Sequence, residues 1–181
     1  MNIWGRVLRM FGWRVDITVG PIDKCVICVA PHTSNFDFLI GLAAYRSIGR
    51  KASFLMKEAW FFFPLKYLLR HLGGIPVPAK RGSDLTRAIV NDFKQRTYMN
   101  LAVTPEGTRS RRADWRKGFL YIVRDAEVPL LLGIIDYHGK RVIIKDIFHC
   151  TGDVETDMKN IKAYYKEYSY AARYPEKFTT E

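Results

Sequence analysis

Cys25-Val26-Ile27-Cys28-Val29-Ala30-Pro31-His32-Thr33-Ser34-Asn35-Phe36-Asp37 is the stretch on which the reading of the fold turns. Its first six residues are apolar and mostly β-branched, which predicts a buried strand. Ser34 to Ile48 then reads as a helix, with Leu39, Ile40, Ala43 and Ala44 facing inward. A loop that leaves a strand's C-terminus and opens into a helix is the usual position of an α/β active site. His32 falls on that loop and Asp37 in the first helical turn. Five residues apart on a regular helix they would stand about 140° apart at ~100° per residue. With His32 in the loop, its ring folds back onto the Asp37 carboxylate. Asp37 then holds one ring nitrogen as N–H and leaves the other as a general base. The plainer alternative is that His32 and Ser34 cap the helix and Asp37 favours its N-terminus. Ser34 as a hydrolase nucleophile lacks a surrounding G-x-S-x-G and an identifiable base.

Outward from this segment, strands and helices alternate. Residues 2–13 place Ile3, Trp4, Val7, Leu8 and Phe11 on one helical stripe. Strands are expected at Ala52 to Met56, Gly74 to Val77, Leu101 to Thr104, Val128 to Ile135 and Arg141 to Ile147, the last two joined through a His138-Gly139 turn. Helices are expected after Ser83 (an N-cap), over Asp114 to Ala126, and over Val154 to Ala172. Trp60 to Leu72 is aromatic and apolar, and Pro64 either kinks it or starts its helix. The alternation predicts an α/β sandwich around a largely parallel central sheet flanked by helices, as one domain over residues 1–181.

A second segment has the same form as the first. Val103-Thr104-Pro105-Glu106-Gly107-Thr108-Arg109-Ser110 also ends an apolar strand and enters a basic turn. Gly107 permits close backbone approach, and Arg109 offers a planar fork suited to phosphate. Glu106 either accepts hydrogen bonds from substrate hydroxyls or anchors the turn through backbone N–H groups. Otherwise the stretch is a solvated basic loop.

Taken together, the two segments resemble the glycerolipid acyltransferase family, which includes 1-acylglycerol-3-phosphate acyltransferases. PHTSNFD is similar to the family's H-x-x-x-x-D motif and TPEGTRS to its P-E-G-T-R-S motif. Lys57-Glu58 with Pro64, and Leu72-Gly73-Gly74-Ile75-Pro76-Val77, resemble its second motif. Val128-Pro129-Leu130-Leu131-Leu132 resembles its fourth. Trp115-Arg116-Lys117-Gly118-Phe119 is similar to a W-K-x-G-F stretch of one bacterial subgroup. The likeness spans residues 25–135, in the family's order.

The resemblance implies a glycerol-3-phosphate-acyltransferase-like fold and transfer of an acyl group from acyl-CoA or acyl carrier protein to a lysophospholipid-like hydroxyl. Neither an acyl-enzyme nor a metal or further cofactor is implied. His32 and Asp37 are then the catalytic pair. Glu106, Gly107, Thr108, Arg109, Lys57, Lys80 and Arg81 are the substrate-binding candidates. One departure is plain: the family's second motif continues with an acidic residue or Asn and then Arg, where this chain has Pro78 and Ala79. Lys80-Arg81 comes one or two places later. Either Arg81 takes the phosphate role, or the acceptor is a non-phosphate lyso-lipid such as a lyso-amino-acid lipid.

Composition narrows the class further. The 181 residues include 29 Lys plus Arg against 18 Asp plus Glu, a net +11. The excess lies in residues 1–150, with 24 basic and 12 acidic residues; residues 151–181 are close to neutral. Such a charge predicts an anionic partner: nucleic acid, an anionic bilayer or a phosphorylated small molecule. No nucleic-acid module is legible, so a basic nucleic-acid-binding domain is only the alternative of another class. No apolar run reaches the ~18 residues of a transmembrane helix. The expected placement is therefore cytoplasmic and peripheral, on the inner face of the membrane. Residues 1–14, with Trp4, Trp13, Arg6, Arg9 and Arg14, suit either an interfacial helix on an anionic leaflet or a helix packed on the sheet. Trp60-Phe61-Phe62-Phe63 is a second candidate for lipid contact. Cys25 and Cys28 have C-x-x-C spacing but read as buried strand residues, and Cys25, Cys28 and Cys150 make no disulfide framework.

Overall fold

In the computed structural model, which describes residues 2–78 and 83–181, one eight-stranded sheet forms the middle layer. Its strands are β1 (Arg14–Ile17), β2 (Lys24–Val29), β3 (Ser53–Lys57), β4 (Gly74–Val77), β5 (Met99–Val103), β6 (Leu130–Asp136), β7 (Arg141–Ile144) and β8 (Ile147–Phe148). Its order is β1-β7-β6-β2-β5-β3-β4, with β8 beside β6. Only β7 and β8 run antiparallel to β6; every other pairing is parallel. The helices are α1 (Ile3–Met10), α2 (Phe36–Ser47), α3 (Leu65–Leu72), α4 (Ser83–Gln95), α5 (Gly118–Ala126) and α6 (Val154–Lys166). The α/β sandwich expected from the sequence is the observed architecture.

The alternation within β2 explains the layers. Val26 and Cys28 join a large core with Ile89 and Phe93 of α4, Phe119 and Leu120 of α5, and Met158, Ile161 and Tyr165 of α6. Cys25 and Ile27 point to the other face, where they meet Tyr45 of α2. A strand buried on both faces has no polar side to show, which is why CVICV is continuously apolar. The same alternation separates Cys25 from Cys28 by the thickness of the sheet, so their spacing brings no thiol pair together. Burial also raises both thiols, Cys25 to about 12.

Several elements differ from the sequence expectation. The helix expected from Asp114 begins at Gly118, because Trp115 is drawn into the core against Tyr165 and Phe178 and Arg116 N–H donates to the Pro105 carbonyl. The last helix stops at Lys166, not Ala172; the chain turns through Ser169–Ala171, where the Ala171 carbonyl accepts from Tyr137 N–H. The Arg141 to Ile147 strand is broken into β7 and β8. β1 has no counterpart in the sequence reading: four residues at a sheet edge carry too little pattern. In α2, Leu39 is exposed at 54% instead of facing inward; the buried apolar residues are Leu42, Ala43, Ala44 and Tyr45. Pro64 precedes α3 and so starts the helix. The turn after α3 requires Gly73, whose φ is +104° and where a Cβ would collide with the Ala52 carbonyl.

α1 packs Leu8 against Ala43 and Ala44 of α2 and Val142 of β7. Trp4 packs partly buried beside it, whereas Ile3, Val7 and Met10 of the helix and Phe11 at its C-terminal cap stay exposed. No helix of the described residues is long and apolar enough to cross a membrane. Because β2, β3, β4, β5 and β6 are parallel neighbours, their C-terminal ends lie along one edge. The chain leaves that edge from β2 at Pro31-His32, from β5 at Thr104-Pro105-Glu106, and from β6 at Tyr137.

Candidate active site

Asp37 sits at the start of α2 and is only 3% exposed. Burying a carboxylate costs several kcal/mol unless its lone pairs are filled. Here they are filled: Oδ2 receives the His32 ring Nδ1 at 3.0 Å, Thr33 N–H at 2.9 Å and Ser34 N–H at 2.9 Å. Oδ1 receives the Tyr137 hydroxyl at 2.6 Å. Hydrogen bonds to a charged group contribute roughly 1.5–3 kcal/mol each, so these four oppose the cost of burial. Beside an ionised carboxylate, which only accepts, the tautomer with its proton on Nδ1 leaves Nε2 with a lone pair. The His32 side chain remains 16% exposed. The helix-cap alternative is met in part: Ser34 Oγ accepts Phe36 N–H at 3.2 Å, but His32 turns back to Asp37.

Glu106 is 4% exposed, and both its oxygens accept His32 N–H, at 3.0 and 2.9 Å. Of the two roles expected for it, its oxygens fill the anchoring one, and the loop they anchor is that of His32 instead of its own. Burial, reinforced by the neighbouring Asp37 charge and opposed by the His32 N–H, pushes its carboxyl up to about 8. Gly107 has φ +64°, and a Cβ there would run into the Arg116 side chain, so the turn requires glycine. Thr108 Oγ1 accepts Ser110 N–H at 3.3 Å. Arg109 is exposed and donates to the Asn35 side-chain oxygen, linking the two motif loops. Lys57 is exposed at the C-terminal end of β3, on the same sheet edge. Lys80 and Arg81 lie outside the described residues. Among the described residues no His, Cys, Asp or Glu cluster could hold a metal.

Sequence reasoning missed two contributors. Tyr137 follows β6 directly, and β6 lies against β2 with Gly133 opposite Val29, so its position one residue past a strand of this edge was the available signal. The turn that carries it is tied by Asp136, buried at 1%, which accepts Gly139 N–H at 2.8 Å and pairs with Arg141 at 3.3 Å. Trp13 packs edge-on against the Tyr137 ring, 5.2 Å between centroids. Arg173, from beyond α6, brings its guanidinium to 3.5 Å from Ser34 Oγ. Its sequence surroundings gave no sign of this, because the contact depends on where the C-terminal segment lands.

A parallel α/β sheet whose carboxyl edge presents an imidazole with one nitrogen held and the other free offers a group that can accept a proton. The acyltransferase family model matches residues 17–133, about two thirds of the chain and both motif loops. This protein belongs to that acyltransferase family and is an acyltransferase. Among solved structures it is similar to the 1-acyl-sn-glycerophosphate (LPA) acyltransferase PlsC from Thermotoga maritima, with a TM-score of 0.61 and 22% identity over 94% of this chain and 78% of that one. That likeness is one of fold. No curated protein matches the chain.

Two outcomes are expected from this geometry. Tyr137→Phe removes one donor to Asp37 and keeps the ring against Trp13; turnover should fall about tenfold, with an unchanged circular dichroism spectrum. Glu106 has a folded-state pKa above its ordinary 4.5, so between about pH 4.5 and about pH 8 the folded protein binds a proton that the unfolded chain releases. Its burial therefore lowers stability progressively as pH rises through that window. Urea unfolding should show Glu106→Gln with a flatter pH dependence than the parent over that range; parallel curves would contradict the assignment.

Proposed function

We propose that the protein transfers a fatty acyl group from an acyl-CoA or acyl carrier protein thioester to a hydroxyl of a lysophospholipid-like acceptor, with His32 as general base. The observation that carries this reading is the His32 Nδ1 to Asp37 contact at the open edge of the sheet. The acceptor hydroxyl gives its proton to Nε2 as its oxygen attacks the thioester carbonyl. The C–S bond then breaks, and the imidazolium returns the proton to the departing thiolate. The products are an ester and a free thiol, and His32 ends neutral. Asp37 orients the ring and stabilises the imidazolium while it exists. Arg109, Gly107 and Thr108, with Lys57, Lys80 and Arg81, are the groups assigned to the acceptor headgroup. Glu106 acts beneath them by fixing the His32 backbone.

The same reading places the protein on an anionic membrane surface, at the cytoplasmic face. Supporting it are the exposed Ile3, Val7 and Met10 of α1 and Phe11 at its C-terminal cap, with Arg6 and Arg9 on the same helix. Exposed Trp60, Phe62 and Phe63 form a second apolar group. An amphipathic face bordered by arginines binds anionic lipid through both apolar burial and charge.

Thiol release from acyl-CoA and acyl carrier protein, screened against phosphorylated and unphosphorylated lysolipids, tests the chemistry. His32→Ala should lower turnover by about 10²–10⁴-fold while the protein stays folded; full activity in that variant would remove the mechanism. Vesicle co-sedimentation tests the surface. Binding should fall with rising salt and on Met10→Asp substitution, and equal binding to neutral and anionic vesicles would count against it.

A further inference from the structure

The segment after α6 crosses back over the catalytic loop. Ala171 accepts Tyr137 N–H at 2.9 Å and Tyr174 N–H donates to Thr33 Oγ1 at 3.2 Å. The strap is thus tied to two of the four residues that donate to the Asp37 carboxylate. Between those ties, the Arg173 guanidinium lies 4.4 Å from the Phe36 ring centroid, 5.5 Å from that of Tyr174 and 5.8 Å from that of Tyr137. Aromatic faces hold a guanidinium by its plane and leave its N–H edge free. Of five N–H donors, one reaches Ser34 Oγ, at 3.5 Å, the outer limit of a hydrogen bond.

Arg109 reaches the neighbouring residue, Asn35, from the other motif loop. Both arginines are exposed, and among the described residues neither pairs with a carboxylate. The nearby Asp37 charge is already satisfied by four donors. Two guanidinia with open N–H edges therefore converge on consecutive residues of the loop that carries His32. A tetrahedral dianion matches that arrangement, since each fork can bind two oxygens.

We propose that Arg173 and Arg109 form an anion site on the lip of the catalytic loop that binds a phosphate monoester, making Arg173 a specificity-determining residue for a phosphorylated substrate. The identity of that substrate rests on the acyl-transfer reading; the anion site does not. The phosphate is either the acceptor headgroup or the 3′-phosphate of coenzyme A, which present the same chemistry.

The full chain, as the parent and as Arg173→Gln and Arg173→Lys, is titrated with sn-glycerol 3-phosphate, glycerol, coenzyme A and dephospho-coenzyme A, following phosphorus NMR line widths and calorimetry. Circular dichroism checks folding. The parent should bind at least one phosphate monoester and not its dephosphorylated counterpart. Arg173→Gln should weaken that binding about tenfold to a hundredfold, and Arg173→Lys less. In thiol-release assays, a rise in KM confined to phosphorylated lysolipid assigns the site to the acceptor. A rise confined to acyl-CoA, and absent with its dephospho form, assigns it to the donor. Unchanged phosphate binding in Arg173→Gln overturns the proposal, as does an equal fall in kcat for phosphorylated and unphosphorylated substrates with every KM unchanged. If the parent turns over no acceptor yet binds phosphate through Arg173, the acyl-transfer reading fails and the anion site stands.

Discussion

The arrangement depends on one buried carboxylate. Asp37 has left water almost completely, and a charge in that position persists only where donors surround it. Its donors come from three sources: the His32 ring, the backbone of Thr33 and Ser34, and the hydroxyl of Tyr137, a hundred residues away. Each is fixed by a different part of the fold. The backbone donors require the loop between β2 and α2 to keep its shape. The hydroxyl requires β6 to run beside β2. The ring requires the His32 backbone to be held, which the Glu106 carboxyl does from the end of β5.

Two acidic side chains thus sit next to one histidine with different tasks. Asp37 holds the ring and meets four donors. Glu106 is equally buried but meets a single N–H, so its carboxyl is pushed up towards neutrality. Desolvation without matching donors separates the pair. Keeping Glu106 largely uncharged near neutral pH also avoids placing a second full negative charge beside the Asp37–His32 pair.

The positive charge of the chain divides along similar lines. Several surface arginines pair with aspartates and fix local geometry, as Arg96 does with Asp92 and Arg141 with Asp136. Others, such as Arg6 and Arg9 on α1, accompany exposed apolar residues. Arg109 and Arg173 reach Asn35 and Ser34 in the loop that carries His32. A net charge of +11 is therefore not one uniform field but several groups with different neighbours.

The α/β sandwich, the buried CVICVA strand, the position of His32 and Asp37 at its end and the family likeness were legible in the sequence, because strand and helix periodicity and residues close together along the chain act locally. The missed or misplaced features share a different cause. Tyr137 bonds Asp37 only because β6 pairs with β2, and Arg173 meets Ser34 only because α6 ends early and its continuation turns back. The burial of Glu106 against His32 follows from β5 lying beside β2. The sequence by itself determined which residues could do acid–base chemistry and which faces must be buried. Tertiary structure decided which distant donors reach the carboxylate, because strand order in a parallel sheet brings together chain segments that no local pattern relates.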